Sequence, residues 1–288
     1  MTNLTKTAYV AALLVLGANL AAAGTTRQSR LNLGKGAVLT VVSSGGSVSL
    51  HPGTEKQVIV NSTTHSDRVE ADVHATPDGT RGEVVTHLLS QQGNGSDDLR
   101  VDYDIAVPPD ISVTISTATA PITVSGVSGD ISISSDTGQI TVRQISKSHL
   151  HVRGVAAPVT LSDVIGTHVD ITSTGGSVQL NQVSGPTVEV RTASGRITYN
   201  GDFAGGGHYL LSTHDAPIDV FMPAFASVDL TEQSTHGTVE PPDFPLDKKE
   251  HTNVVPSPGR SFTGTSHSGS ASVELHSYSG RIRVKKQQ

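Results

Sequence analysis

"GDISISSDTGQITV", Gly129 to Val142, decides how the whole chain is read. Ile131 and Ile133 alternate with serines, a polar corner Ser135-Asp136-Thr137-Gly138 follows, and Ile140 and Val142 alternate again. Alternation of period two marks a strand that buries one face. Two short strands cannot bury that face alone, so such a unit must repeat and stack.

It does repeat. The first apolar residue of the second strand recurs as Ile122, Ile140, Val159, Val178, Ile197 and Ile218, at spacings of 18, 19, 19, 19 and 21. Nine residues before each stands Val113, Ile131, Leu150, Val169, Val188 or Tyr209. A single apolar residue follows each: Val127, Ile145, Val164, Val183, Phe203 and Phe225. Leu39/Val41 with Val48/Leu50, and Val273/Leu275 with Ile282/Val284, keep the same offset, and Leu230 with Val239 is a degenerate copy. The constant register predicts an all-β fold, a parallel β-solenoid like a single-stranded β-helix. Its coils of ~19 residues would rise by ~4.8 Å each around an Ile/Val/Leu interior.

The period also sets boundaries. Residues 1–23 read as a cleaved signal peptide: Lys6, the apolar run Ala8 to Leu20, then Ala21 and Ala23 before Gly24. That run is shorter than the ~20 residues of a spanning helix, so no membrane span is expected after cleavage. Residues 24–107 would hold a first coil and a small antiparallel β-module, and 108–240 the solenoid repeats. Residues 241–269 are a Pro/Gly/Ser-rich loop, and 270–288 a terminal coil with a basic tail. Arg281, Arg283 and Lys285 on that last strand would guard an open edge. The net charge of −6 is too mild to point to nucleic acid, and the absence of cysteine removes disulfides and thiolate metal sites.

No Gly-x-Ser-x-Gly elbow is present. Ser135, Asp136 and Thr137 sit where other coils place Val155-Ala156, Thr174-Gly175 and Ala193-Ser194, which reads as interchangeable corner residues. A Gly or an Ala-Pro step makes each bend. The histidines are better placed for chemistry. His149, His168 and His208 precede the first strand of their coils, in a column with Asp130, Thr187 and Ser227. Two residues on, facing the same side, lie Ser132, His151, Asp170 and Glu189. His149, His151, His168 and Asp170 therefore form a candidate site for Zn²⁺ or a similar divalent metal. Histidine changes charge between about pH 5 and 8, so such a face would also respond to pH. Asp170 with Glu189, and Asp215 with Asp219, are the carboxylate pairs a carbohydrate-cleaving β-helix would need. The outward threonines Thr123, Thr141, Thr160 and Thr198 read as a β-propensity ladder.

"LRVDYDIAVPPDISVTISTATAPITVSGVSGDISISSDTGQITV", Leu99 to Val142, resembles a bacterial family of secreted or membrane-tethered β-strand-repeat proteins labelled "putative adhesin", with related toastrack-type solenoid domains. The resemblance implies an extracytoplasmic β-solenoid with no established enzymatic activity. The function expected is a non-enzymatic, exported scaffold or adhesin-like binding module. It would be periplasmic, cell-surface or extracellular, with a protein or glycan of the cell envelope as partner and no required cofactor. The alternatives are an envelope-stress or metal- and pH-sensing accessory using the histidine face, and a carbohydrate-active β-helix.

Overall fold

The computed structural model describes residues 24–54, 56–89, 99–108, 110–243, 246–248 and 258–287; the expected signal peptide, residues 1–23, lies outside them. Strands β1 (Thr25–Leu31), β2 (Val38–Ser43) and β3 (Gly46–Pro52) open the chain. They are followed by β4 (Val58–Thr64), β5 (Val69–Ala75), β6 (Arg81–Leu88) and β7 (Val101–Val107). The repeat then runs through β8 (Ser112–Thr117), β9 (Ile122–Ser125), β10 (Asp130–Ser135), β11 (Ile140–Ser146), β12 (His149–Gly154) and β13 (Val159–Ile165). It continues with β14 (His168–Ser173), β15 (Val178–Ser184), β16 (Thr187–Thr192), β17 (Ile197–Asn200), β18 (His208–Thr213) and β19 (Ile218–Met222). The chain ends with β20 (Val228–Ser234), β21 (Thr238–Glu240), β22 (Asp247–Lys248), β23 (Ser261–Thr265), β24 (Ala271–Ser277) and β25 (Arg281–Lys286).

Two sheets share one hydrophobic core. The first has 12 strands in the order β1-β4-β7-β3-β9-β11-β13-β15-β17-β19-β25-β21. The second has 13, in the order β22-β23-β20-β24-β18-β16-β14-β12-β10-β8-β2-β6-β5. Each coil gives one strand to each sheet. Ile122, Ile140, Val159, Val178, Ile197 and Ile218 stack in parallel register, and so do Val113 through Tyr209. The fold is the parallel β-solenoid that the period predicts.

Strict alternation would turn the third apolar residue of each coil outward. It is turned back by Gln144, Asp163 and Gln182, which hold φ of 57, 56 and 52°. A non-glycine residue there costs roughly 1–2 kcal/mol, which burying Ile145, Val164 or Val183 at about 1.5–3 kcal/mol offsets. Phe203 follows the pattern at 5% exposure, but Phe225 does not: it is 70% exposed, and Ala226 takes the inward place. The chain leaves the repeat at Phe225 because β20 does not stack on β18.

That departure reflects an exchange of coil order. The last coil in sequence, β24–β25, inserts between β18–β19 and β20–β21, and is next to last in space. At the other end β6–β7 lies outside β2–β3. The antiparallel element near the N-terminus is present as β1–β4–β7 and β5–β6, yet β6 and β7 also pair in parallel with β2 and β3 and complete a coil. Within 241–269, expected as a loop, β22 and β23 pair antiparallel at the β20 side and cover that sheet edge.

The corners are built rather than decorated. Ser135 is buried, and its hydroxyl donates to the Gly138 carbonyl at 2.9 Å. Thr117, Ser173 and Thr192 make the same bond to Ala120, Gly176 and Gly195. Ser135 therefore braces its corner from inside, although the next coil has Gly154 in its place, whereas Asp136 and Thr137 face solvent.

The inserted coil is held by charge. Asp219, its side chain 4% exposed, accepts from Arg196 Nη1 at 2.6 Å on one neighbouring coil and from Arg283 Nε at 2.9 Å on the inserted one. Arg281 faces Glu240 at 3.5 Å. These arginines do not guard an edge, since β25 lies between β19 and β21; they neutralise acidic neighbours. Replacing Asp219 with Asn should cost about 1–2 kcal/mol in urea unfolding, less than a fully buried pair because both arginines keep some water. An Asp219→Asn chain with unchanged stability would show the clamp to be idle.

Candidate functional site

The outer face of the 13-stranded sheet carries the histidines. His149 lies beside Asp130 on one strand and His168 on the next, and His151 lies beside Asp170. The sequence-predicted set is therefore brought to one patch. The His149 and His168 ring centroids are 5.8 Å apart, and those of His151 and His168 6.2 Å. His149 Nδ1 meets Asp130 Oδ1 at 3.0 Å, and His151 Nδ1 meets Asp170 Oδ2 at 3.6 Å. Glu189, beside Asp170, pairs with Arg191 two residues along its own strand. As the side chains stand, no three His, Asp or Glu converge on one point among the described residues. Ser132, His151, Arg153, Asp170 and Thr172 line an open groove of about 420 Å³. His208 lies farther along the row, next to Ser272 and then Asp229. Ser227 is not in that row, because the inserted coil shifts the register.

Three constellations were not visible in the sequence. His74 reaches Asp72 at 3.6 Å and Glu83 at 3.3 Å, and His87 reaches Asp72 at 3.8 Å, on the β5–β6 hairpin. Both nitrogens of His74 are thus already spent on carboxylates. Near the same end, Ser47 Oγ donates to Asp102 Oδ1 at 2.7 Å while His65 Nε2 meets Asp102 Oδ2 at 2.6 Å. This Ser/Asp/His set is wired wrongly for nucleophilic catalysis: the carboxylate sits between the other two, so no base takes the serine proton. Finally, Tyr278 is sandwiched between His214, stacked at 4.5 Å and 16°, and His236, tilted at 4.5 Å and 48°. The three rings ride the corner column of successive coils and cover each other's faces, which makes them a staple for the inserted coil rather than a platform for a sugar ring.

Asp215 and Asp219 do not form an acid/base couple. Asp219 is locked between two arginines. Asp215 accepts from Ser279 and pairs with His214, and these hydrogen bonds hold its carboxyl below the ordinary range, the opposite of what a general acid needs. Among the described residues no helix is long and apolar enough to cross a membrane.

One solved structure shares the fold, and two more are similar to the chain at lower TM-scores. A "putative adhesin" from Bacteroides fragilis NCTC 9343 has 8% sequence identity and a TM-score of 0.50, covering 91% of this chain and 97% of that one. A "putative cell adhesion protein" from Clostridium sporogenes ATCC 15579 is 13% identical with a TM-score of 0.32, covering 91% of this chain and 100% of that one. A "putative adhesin" from Parabacteroides merdae ATCC 43184 is 10% identical with a TM-score of 0.38, covering 92% and 97%. No curated protein matches. The family described as Toastrack DUF4097 matches residues 37–285, and with the coil-by-coil register above it is the family to which this chain belongs.

Proposed function

We propose that this chain is a non-catalytic, exported solenoid that serves as a rigid adhesin-like binding module at the cell envelope or surface. One observation carries the reading: the outer face of the 13-stranded sheet lines up polar side chains in fixed register across β10, β12, β14 and β16, around the groove of Ser132, His151, Arg153 and Asp170. The parallel pairing keeps those side chains at a fixed ~4.8 Å pitch, so a polar polymer lying across the strands would meet the same donors and acceptors without ordering them first. The name of the Bacteroides fragilis structure, a putative adhesin, agrees with this role.

The test is retention of isolated cell-envelope material and purified envelope polysaccharides on the immobilised full chain. Retention should fall by about tenfold when Arg153→Ala and His151→Ala remove the groove's cation and imidazole, since charged groups at such rims contribute about 1.4 kcal/mol together. Release of cleaved polysaccharide, or retention indifferent to both substitutions, would overturn the proposal.

A further inference from the structure

We propose that His149, His151 and His168 hold one divalent transition-metal ion, Zn²⁺ by donor type, with Asp170 completing the donor set. The site stands on its own geometry, whether or not the groove docks a polymer.

The first support is spacing. Two imidazoles on one tetrahedral Zn²⁺, with Zn–N bonds of about 2.0–2.1 Å, place their ring centroids about 5 Å apart. The His149–His168 and His151–His168 separations are 5.8 and 6.2 Å. Rotation of side chains closes that gap, and the strands need not move.

The second support is which nitrogens are free. Asp130 meets Nδ1 of His149 at 3.0 Å, whereas the 3.6 Å approach of Asp170 to His151 Nδ1 is too long for a hydrogen bond and leaves Asp170 free to act as a donor itself. Metal-bound histidines usually give their second nitrogen to a carboxylate as His149 does, which aims the other nitrogen at the ion. Among the described residues, Nε2 of both rings and both nitrogens of His168 have no hydrogen-bond or ion-pair partner. The β5–β6 cluster lacks this property, because His74 spends both its nitrogens on Asp72 and Glu83.

The third is an unmet demand. Asp170 Oδ1 is buried without a hydrogen-bond partner. Glu189, the neighbour of Asp170 on the next strand, is already paired with Arg191 and supplies no counter-ion to it. A cation at Asp170 would meet the demand of Oδ1. Imidazole and carboxylate donors without thiolate suit Zn²⁺ or Ni²⁺ rather than a hard Ca²⁺ cage.

Titration calorimetry tests this on the full chain, free of any affinity tag and stripped with chelator. ZnCl₂ should bind at one equivalent and CaCl₂ should not. His168→Ala should weaken Zn²⁺ affinity by more than about tenfold, and Asp130→Asn by about tenfold, the usual effect of losing a carboxylate behind a ligand. His74→Ala should leave it unchanged. Imidazole proton signals in the unsubstituted chain give a readout independent of folding: those of His149, His151 and His168 should shift on adding ZnCl₂, and those of His74 and His87 should not. No Zn²⁺ binding, equal affinity in the His168→Ala chain, or shifts confined to other histidines would overturn the assignment.

Discussion

A Gly176→Ala chain should lose about 3 kcal/mol or more of unfolding free energy, the upper end of what overpacking costs when backbone has nowhere to go. A Cβ at Gly176 would stand 1.8 Å from the Ala157 carbonyl oxygen and 2.5 Å from its carbon. Neither atom can yield, because both belong to the neighbouring coil's backbone. The column uses two solutions to the same bend. Ala120, Ala157 and Ala216 are each followed by proline, which restricts the preceding residue to extended backbone; Gly138, Gly176 and Gly195 are not. Gly138 meets the Ala120 oxygen at 2.1 Å in the same way, so the close approach repeats with the coil. Nowhere in this column do two Ala-Pro steps stack directly. Each coil contacts only its neighbours, so one forced interface opens the core there. The comparison is Gly166→Ala, where φ is +64° but nothing lies within 4 Å of the new Cβ. That substitution should cost only about 1–2 kcal/mol, the backbone term alone. Urea unfolding of the two variants separates the effects, and equal losses would show that contact between coils is not what excludes a side chain at Gly176.

The repeat made the fold legible because burial imposes it locally. Each inward Ile or Val is paired with a near copy of itself on the next coil, and such columns can be aligned with no knowledge of space. Coil order is another matter. The apolar pattern of Val273/Leu275 and Ile282/Val284 fits any slot in the stack, and nothing local says that it enters one coil before the end. The slot is chosen by distant partners: Asp219 with Arg283, Glu240 with Arg281, and Tyr278 between His214 and His236. A faint signal existed, since Asp219 breaks a column of outward threonines and Arg283 supplies its counter-charge at the C-terminus. The same blindness put Ser227 in the histidine row and Phe225 in the core. The histidine patch itself was legible because β10, β12, β14 and β16 follow each other in sequence and in space. Its carboxylate pairing was not, because it depends on ring orientation.

Glu232 should give the steepest pH dependence in the molecule. In the column Val41, Ile115, Ile133, Val152, Ile171, Val190, Leu211, Leu275 the next inward place is Glu232, fully buried at the end of the core. Phe262 of β23 pairs with it from the other side, and neither carboxyl oxygen has a hydrogen-bond partner. Burial, with no charged neighbour among the described residues, pushes its carboxyl up to about 8 from an ordinary 4.5. The folded chain therefore keeps a proton that the unfolded chain releases anywhere between those values. Stability from this group is complete below about pH 4.5, falls by about 1.4 kcal/mol per pH unit as pH rises, and is fully lost near pH 8, a total of about 5 kcal/mol. Glu232→Gln keeps the shape and removes the proton. Its advantage over the unsubstituted chain should be nil near pH 4, grow steadily to pH 8, and then stay constant. Parallel stability curves across that range would show that water or a side chain outside the described residues reaches the carboxyl. Hydrogen exchange can then place the loss. If ionisation only lifts the cap, amides of β20 and β23 should open above pH 8 while β12 and β14 stay protected, since a solenoid can fray from one end without losing its middle.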